Sequence, residues 1–229
     1  MTRQLVLDLK LKETHTLENY ITGHNQLLLM LLQTMVQKQG EQQLFMWGAS
    51  AVGKSHLMQA VCHKASDNGF SVSYLPLEQL IDYSPQLLDG MESMDLICID
   101  DVEQVSGKPE WQEQLFNLIN RTRETLNYLL FSASLPPNEM DLKLEDLRSR
   151  LNWGPVISIQ PLDDDDLQMA LQQRARNQGF ELPDSVCSYM LKHYTRDMNG
   201  LFNKLQTLEQ ASLAQHRLIT VPFVKEVIG

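Results

Sequence analysis

Three observations in the sequence predict an α/β fold, a parallel sheet flanked by helices and followed by a small all-helical portion. Short apolar runs alternate with helical periodicities through about residue 160. A glycine-bearing turn joins the first of these runs to a helix. Beyond Pro161 the apolar runs stop and only helical periodicity continues. The 229 residues, 43% hydrophobic, are enough for one compact α/β core with a small companion.

Residues 1–14 read as an extended arm, because Leu5, Leu7 and Leu9 alternate along it. Helical periodicity runs from about His24 to Lys38. Gln43–Trp47 is a short strand ending at Gly48, and Gly53–Ala65 is a helix with Leu57, Ala60 and Val61 on one stripe. Ser71–Leu75 is a second strand. Leu96–Ile99, an apolar run bounded by acids, has the pattern of a buried parallel strand. Trp111–Leu126 is amphipathic. Asn127–Ala133 is a strand stopped by Pro136 and Pro137, and Val156–Ile159 is a fifth, stopped by Pro161. Asp163 can cap a helix running to Asn177, and Pro183–His193, Met198–Ala214 and Pro222–Ile228 follow as helices. Pro183 and Pro222 stand at first-turn positions, where a missing N–H costs nothing. The expected organisation is an arm over 1–14, an α/β part over 15–161 and a helical lid over 162–229.

Composition excludes several functions. No run reaches the roughly 18 apolar residues of a membrane helix, and the N-terminus lacks the apolar core of a signal peptide. A cytoplasmic protein with no membrane partner is expected. Cys62, Cys98 and Cys187 are scattered among apolar neighbours, which fits neither a disulfide framework nor a zinc site. The net charge of −10, without a basic cluster, disfavours direct DNA binding.

Gly48-Ala-Ser-Ala-Val-Gly-Lys-Ser55 matches G-x-x-x-x-G-K-[ST] in full, with a strand before it and a helix after. Gly48 and Gly53 let the backbone turn successive N–H groups inward, with Ala51 and Val52 inside the loop and His56 just after it. The helix N-terminus adds positive potential. Lys54 reaches the terminal phosphates and Ser55 offers a hydroxyl to Mg²⁺. Leu96-Ile-Cys-Ile-Asp-Asp101 is an apolar strand ending in paired acids, the form that brings Asp100 toward that Mg²⁺. Asp101 stands where many P-loop ATPases place a water-activating Glu. Its shorter side chain makes it a weaker candidate base.

The chain from residue 15 onward resembles the AAA+ ATPases, specifically the nucleotide-binding domain of the DnaA family of bacterial replication initiators. The resemblance rests on Thr16-Leu-Glu-Asn-Tyr-Ile-Thr-Gly23, the P-loop and Ile99-Asp-Asp101. It extends through Phe131-Ser-Ala-Ser-Leu-Pro-Pro137, Leu147-Arg-Ser-Arg-Leu-Asn-Trp-Gly154 and Arg196-Asp-Met-Asn-Gly-Leu201. Gly179-Phe-Glu-Leu-Pro183 and Val221-Pro-Phe-Val-Lys-Glu-Val227 resemble the shorter DnaA homologues that shut the initiator off. The expected chain therefore lacks the DNA-binding and oligomerisation domains of a full initiator.

That resemblance implies roles. Arg150 matches an arginine finger acting in trans on a neighbouring subunit's nucleotide; without the family it reads as a surface arginine near a helix end. Arg196 matches the sensor 2 arginine, reaching this chain's own phosphates from the lid. Ser134 falls at the sensor 1 position, where DnaA proteins carry Asp. Leu17, Tyr20, Ile21 and Gly23 would flank the base. The implied ligand is ADP or another nucleoside diphosphate, with Mg²⁺ held through Ser55 and Asp100.

Gln4-Leu-Val-Leu-Asp-Leu9 reads first as an ordinary edge strand. With the resemblance it becomes a clamp-binding peptide, Gln4 anchored by hydrogen bonds and Leu5, Leu7 and Leu9 filling an apolar pocket on the sliding clamp. The implied function is regulatory inactivation of DnaA. A nucleotide-bound adaptor tethers to the β sliding clamp of DNA polymerase III and stimulates hydrolysis of DnaA-bound ATP, touching DNA only through the clamp. It would not be a self-sufficient ATPase. The competing readings are an autonomous AAA+ ATPase and a clamp-loader or helicase-loader subunit. A homodimer masking Arg150 or the arm stays open.

Overall fold

The computed structural model describes residues 15–195 and 197–229, the side chain of Asn199 apart. The described residues form two units: 15–20 with 25–159, and Ile21–His24 with 160–229. The arm over 1–14, with the clamp-binding residues Gln4, Leu5, Leu7 and Leu9, lies outside the described residues, as does Arg196.

The first unit is built on strands β1 (Gln43–Trp47), β2 (Val72–Pro76), β3 (Leu96–Asp100), β4 (Tyr128–Ala133) and β5 (Val156–Ser158). They form a parallel five-stranded sheet in the order β2-β3-β4-β1-β5. Helices α1 (Gln26–Met35), α2 (Lys54–Asp67), α3 (Leu77–Leu80), α4 (Pro109–Thr125) and α5 (Glu145–Leu151) belong to this unit. Each expected strand is present to within a residue or two. The short α3 and α5 are additional: α3 is a single turn, and the seven residues of α5 carry only Leu147 and Leu151 on the buried side, too few to declare a period.

Residue parity divides the core, because successive strand side chains point to opposite faces. Phe45, Ile97, Ile99, Leu129 and Phe131 pack with Leu115, Leu118 and Ile119 of α4. Leu44, Met46, Leu96, Cys98 and Leu130 pack with Leu28 and Leu32 of α1 and Leu57 and Val61 of α2. Both faces are covered, so the strands read as continuous apolar runs rather than alternating ones. Cys62 and Cys98 are buried in this second face, and burial followed by the Cys62 thiol beside it pushes the Cys98 thiol well up.

The second unit is all-helical: α6 (Asp164–Asn177), α7 (Asp184–His193), α8 (Met198–Gln215) and α9 (Val221–Ile228). The expected cap is present, with the Asp163 side chain accepting from the Asp166 N–H at 2.9 Å. Asp197 caps α8 in the same way through the Gly200 N–H at 2.7 Å. Its core joins Leu171, Val186, Met190, Leu205 and Phe223, all fully buried. No helix among the described residues is long and apolar enough to cross a membrane.

Candidate nucleotide site

The P-loop follows β1, so it lies at the carboxyl ends of the strands, where parallel α/β sheets bind ligands. The Gly48 N–H donates to the Ala133 carbonyl at 3.2 Å, fixing the loop's start to β4. Ala51 and Gly53 have φ of 63° and 100°. The left-handed region costs glycine little, but it costs Ala51 about 1 kcal/mol, strain of the kind stored at ligand sites. The α2 N-terminus has no side-chain cap and no acid in its first turn, leaving its N–H groups for an anion.

Lys54 is buried, and its Nζ donates to the carbonyls of Gly48 at 2.8 Å and Ala49 at 3.0 Å. These carbonyls stand in for phosphate oxygens. The loop's own backbone thus holds the ammonium in place, and a phosphate replaces neutral acceptors with charged ones. This arrangement fits a nucleotide's phosphates. Val52 packs against the α1/α2 core.

Ahead of the first helix, Leu17 is buried and Tyr20 lies against the loop, where a Cβ on Gly53 would meet Tyr20 Cε2 at 3.1 Å. The Tyr20 hydroxyl accepts from Asn25 at 3.5 Å, and burial pushes the phenol up to about 12. His56 stacks on His15 with centroids 4.6 Å apart and meets the edge of Tyr20 at 5.8 Å. Its Nε2 lies 3.1 Å from the Thr16 carbonyl oxygen. Ile21 and Gly23 belong to the helical unit, where Gly23 at φ 49° lies close to Asp166 and Leu162.

Three adjacent strands build a polar row across the sheet on the α2 face. Asp100 ends β3, almost wholly buried. Its carboxylate accepts from the Tyr74 hydroxyl of β2 at 2.8 Å and from the Ser132 hydroxyl of β4. Ser132 Oγ in turn accepts from the Asp101 N–H at 3.2 Å. Burial, then the Asp100 charge, pushes the Tyr74 phenol far up, so it stays a donor. Ser134 engages differently: its N–H donates to Glu103 Oε1 at 2.9 Å. The hydroxyl that reaches Asp100 is that of Ser132, two residues earlier. Ser132, Tyr74 and Glu103 escaped the sequence reading. The available signal was a serine inside the apolar run Leu129-Leu-Phe-Ser-Ala133, at the parity of the P-loop face.

Asp101 has φ 59°, a conformation Asp and Asn tolerate best among residues other than glycine. Burial, then Asp100, Glu103 and Glu78, push its carboxyl up to about 7, against the pull of Lys54. Among the described residues no three metal-ligating side chains gather on their own. A phosphate-borne Mg²⁺ needs only one or two protein ligands, and Ser55 and Asp100 are the residues that would hold it.

The raised carboxyl has a consequence for stability. The folded state holds the Asp101 proton more tightly than the unfolded chain does, so nucleotide-free protein loses stability as pH rises from about 4 to about 7. Asp101→Asn removes that charge and keeps the backbone preference. It is expected to stabilise the nucleotide-free protein at pH 8 by about 1–2 kcal/mol, discounted for a half-exposed group. The gain should vanish near pH 4, as read by urea denaturation in EDTA at both pH values.

Arg150 is the second of two arginines in the last turn of α5, and the Gln43 side chain holds its backbone. Gln43 Nε2 donates to the carbonyls of Arg150 at 2.7 Å and Leu151 at 3.3 Å. Gln43 begins β1, whereas the P-loop follows its end. At roughly 3.3 Å per residue the two lie about 16 Å apart. The Arg150 side chain therefore sits at the opposite end of the sheet from the chain's own P-loop. Its Nε donates to Asn120 Oδ1 at 2.7 Å, and its guanidinium lies 3.7 Å from the Trp153 ring centroid and 5.6 Å from that of Phe116. Gly154 is required beside it, because a Cβ there would overlap the Gln43 carbonyl. Arg148, by contrast, is spent within the chain on Glu145 and the Leu142 carbonyl.

Comparison with known proteins agrees with this construction. The family model of the bacterial DnaA ATPase domain matches residues 11–158, and that of the Hda lid domain matches 163–228. Domain III of the Thermotoga maritima replication initiation protein DnaA superposes with a TM-score of 0.85 at 20% identity, over 96% of this chain and 97% of that one. AMPPCP-bound DnaA from Aquifex aeolicus gives 0.78 at 24%, over 89% and 68%. The Thermotoga maritima RuvB Holliday junction branch migration motor gives 0.69 at 13%, over 90% and 67%. At these identities the structural likeness is one of fold, the AAA+ arrangement of sheet and helical lid. The family models carry the assignment further, since the first spans more than half of the sequence. The chain belongs to the family of the bacterial DnaA ATPase domain, the nucleotide-binding AAA+ proteins of replication initiation, and joins that domain to a lid of the Hda type.

Proposed function

We propose that this chain is a nucleotide-bound regulator that stimulates hydrolysis of ATP held by DnaA and so prevents re-initiation of replication. The observation that carries the reading is the placement of Arg150. It is a guanidinium fixed by stacking and by Asn120, at the end of the sheet remote from its own P-loop. A cation so placed serves a neighbour's nucleotide. Charge stabilisation by an arginine in trans raises hydrolysis by roughly 10³–10⁵ in known cases.

The rest of the reading follows from this. ADP with Mg²⁺ occupies the chain's own site, held by Gly48, Gly53, Lys54 and Ser55 with Asp100 behind the metal, and Arg196 serves as the sensor 2 arginine. Gln4, Leu5, Leu7 and Leu9 tether the protein to the sliding clamp, bringing DNA near without contact. The chain is not a self-sufficient ATPase, because the residue after Asp100 is Asp101 rather than a longer Glu.

A steady-state assay tests this with ATP-loaded DnaA, clamp and DNA present or withheld. Phosphate release is expected only when the chain and DnaA are together. Robust turnover by the chain alone would establish an autonomous ATPase instead.

A further inference from the structure

Glu103 is an acid that the nucleotide site leaves without a task. It stands in the short turn Val102–Val105 that follows β3 and the Asp100–Asp101 pair. Val102 and Val105 are fully buried and fix that turn in the core on the α4 face of the sheet. Glu103 Oε1 accepts from the Ser134 N–H at 2.9 Å. Its Oε2 is buried and accepts no hydrogen bond from any described residue, and no cation among the described residues pairs with it. Capping one N–H needs only a neutral acceptor. A carboxylate with one oxygen buried and unmet costs more than that task requires.

The sheet order places this carboxylate. β4 lies between β1, which leads into the P-loop, and β3, which ends in Asp100. Trp47 pairs with Ala133, so Ser134 stands beside Gly48, the first residue of the loop. One peptide unit serves both partners. The Ala133 carbonyl accepts from the Gly48 N–H at 3.2 Å, and the Ser134 N–H of that same peptide donates to Glu103. Lys54 Nζ donates to the Gly48 carbonyl at 2.8 Å. Beyond burial and Asp100, the Asp101 carboxyl is held up by Glu103 and drawn down by Lys54, so these charges share one neighbourhood. A diphosphate is met by the loop's N–H groups and the start of α2. A third phosphate extends from the loop toward the metal that Asp100 would hold. Its path from the end of β1 to the end of β3 crosses the end of β4. Glu103 stands there, and the Ser134 N–H that could have met a phosphate oxygen is already taken.

We propose that Glu103 makes this site selective for nucleoside diphosphates, its charge at the end of β4 repelling the third phosphate of a triphosphate. This rests on the nucleotide site of the function proposed above and adds the residue that sets its phosphate count. Like charges repel more strongly at a partly buried site than in bulk water. Lys54 and the loop N–H groups attract either nucleotide, so they do not supply the discrimination. Selectivity needs an element that acts against the wrong ligand, and an unpaired carboxylate is one.

Calorimetric titration of the full chain with Mg·ADP and with Mg·AMPPCP tests this, AMPPCP being a triphosphate that resists hydrolysis at its β–γ link. The parent is expected to bind ADP at least tenfold more tightly than AMPPCP. Glu103→Gln keeps an acceptor for the Ser134 N–H and removes the charge. It is expected to tighten AMPPCP binding at least tenfold and to change ADP binding less than threefold. Glu103→Ala loses the hydrogen bond as well and should narrow the ratio of the two affinities to the same extent. Equal affinities in the parent, or a preference for ADP that survives both substitutions, would overturn the proposal and leave the phosphate site standing. Loss of the chain's own ATP hydrolysis in Glu103→Gln at unchanged affinities would also overturn it and make Glu103 a base. Binding of neither nucleotide by the parent would remove the phosphate site itself, and the proposal with it.

Discussion

Replacing Arg150 with Ala is expected to lower the maximal rate of stimulated ATP hydrolysis by at least 10²-fold, with the half-saturating concentration changed less than threefold. An electrostatic contact made only as charge develops on the transferring phosphate lowers the barrier without adding to ground-state binding, and its removal appears in kcat. One such donor is worth about 3–4 kcal/mol, which sets the lower bound. The fold should survive, because the side chain's attachments are one hydrogen bond to Asn120 and surface stacking on Trp153. These amount to about 1–2 kcal/mol of stability. Arg150→Lys should recover less than a tenth of the lost rate, since an ammonium neither forks onto a phosphate nor stacks on the indole. The check is single-turnover hydrolysis by ATP-loaded DnaA with saturating variant. A rate within threefold of the parent in Arg150→Ala would remove the trans finger from the account.

Pre-organisation explains why an arginine at this place is surrounded as it is. A free arginine side chain samples many rotamers, and freezing it in the transition state costs entropy. Here Gln43 fixes the backbone, Asn120 fixes Nε and Trp153 offers a flat platform, so the guanidinium is already ordered before a partner arrives. None of these contacts neutralises the charge.

The sheet was legible because burial on both faces writes each strand as an apolar run with hard stops, as in Leu96–Ile99 between acids. The P-loop was legible because phosphate chemistry dictates both residue types and spacing within eight positions. What escaped is built across strands or between distant segments. Ser132, Tyr74 and Asp100 meet only once β2, β3 and β4 are side by side, and no local spacing encodes that order. Parity alone could have placed Ser132 on the P-loop face. The α5 helix escaped because two buried leucines do not make a period. Trp153 was read as a family signature flanking Arg150, but its role as a shared stacking platform emerges only when α4 lies beneath it.

Lys54→Ala is expected to weaken nucleotide binding by about 10²–10³-fold. The ammonium would make charge-assisted hydrogen bonds to two phosphates, each worth about 1.5–3 kcal/mol, less the bonds to Gly48 and Ala49 that it gives up. The balance of about 3–4 kcal/mol corresponds to that factor. Most of what remains at the site is backbone, the inward N–H groups of the loop and the uncapped start of α2, so binding weakens rather than disappears. The nucleotide-free fold should change little. The Ala49 carbonyl is at an exposed residue and finds water, and the buried Gly48 carbonyl loses one acceptor interaction, about 1 kcal/mol. Calorimetric titration with Mg·ADP measures the loss, and unchanged affinity would refute the assignment of the phosphate site. The same variant also tests the link between the two ends of the sheet. Lys54 and Arg150 do not touch, so if stimulation falls with nucleotide occupancy and returns at saturating ADP, the bound nucleotide governs the finger. If stimulation is insensitive to occupancy, the P-loop serves this chain's stability alone.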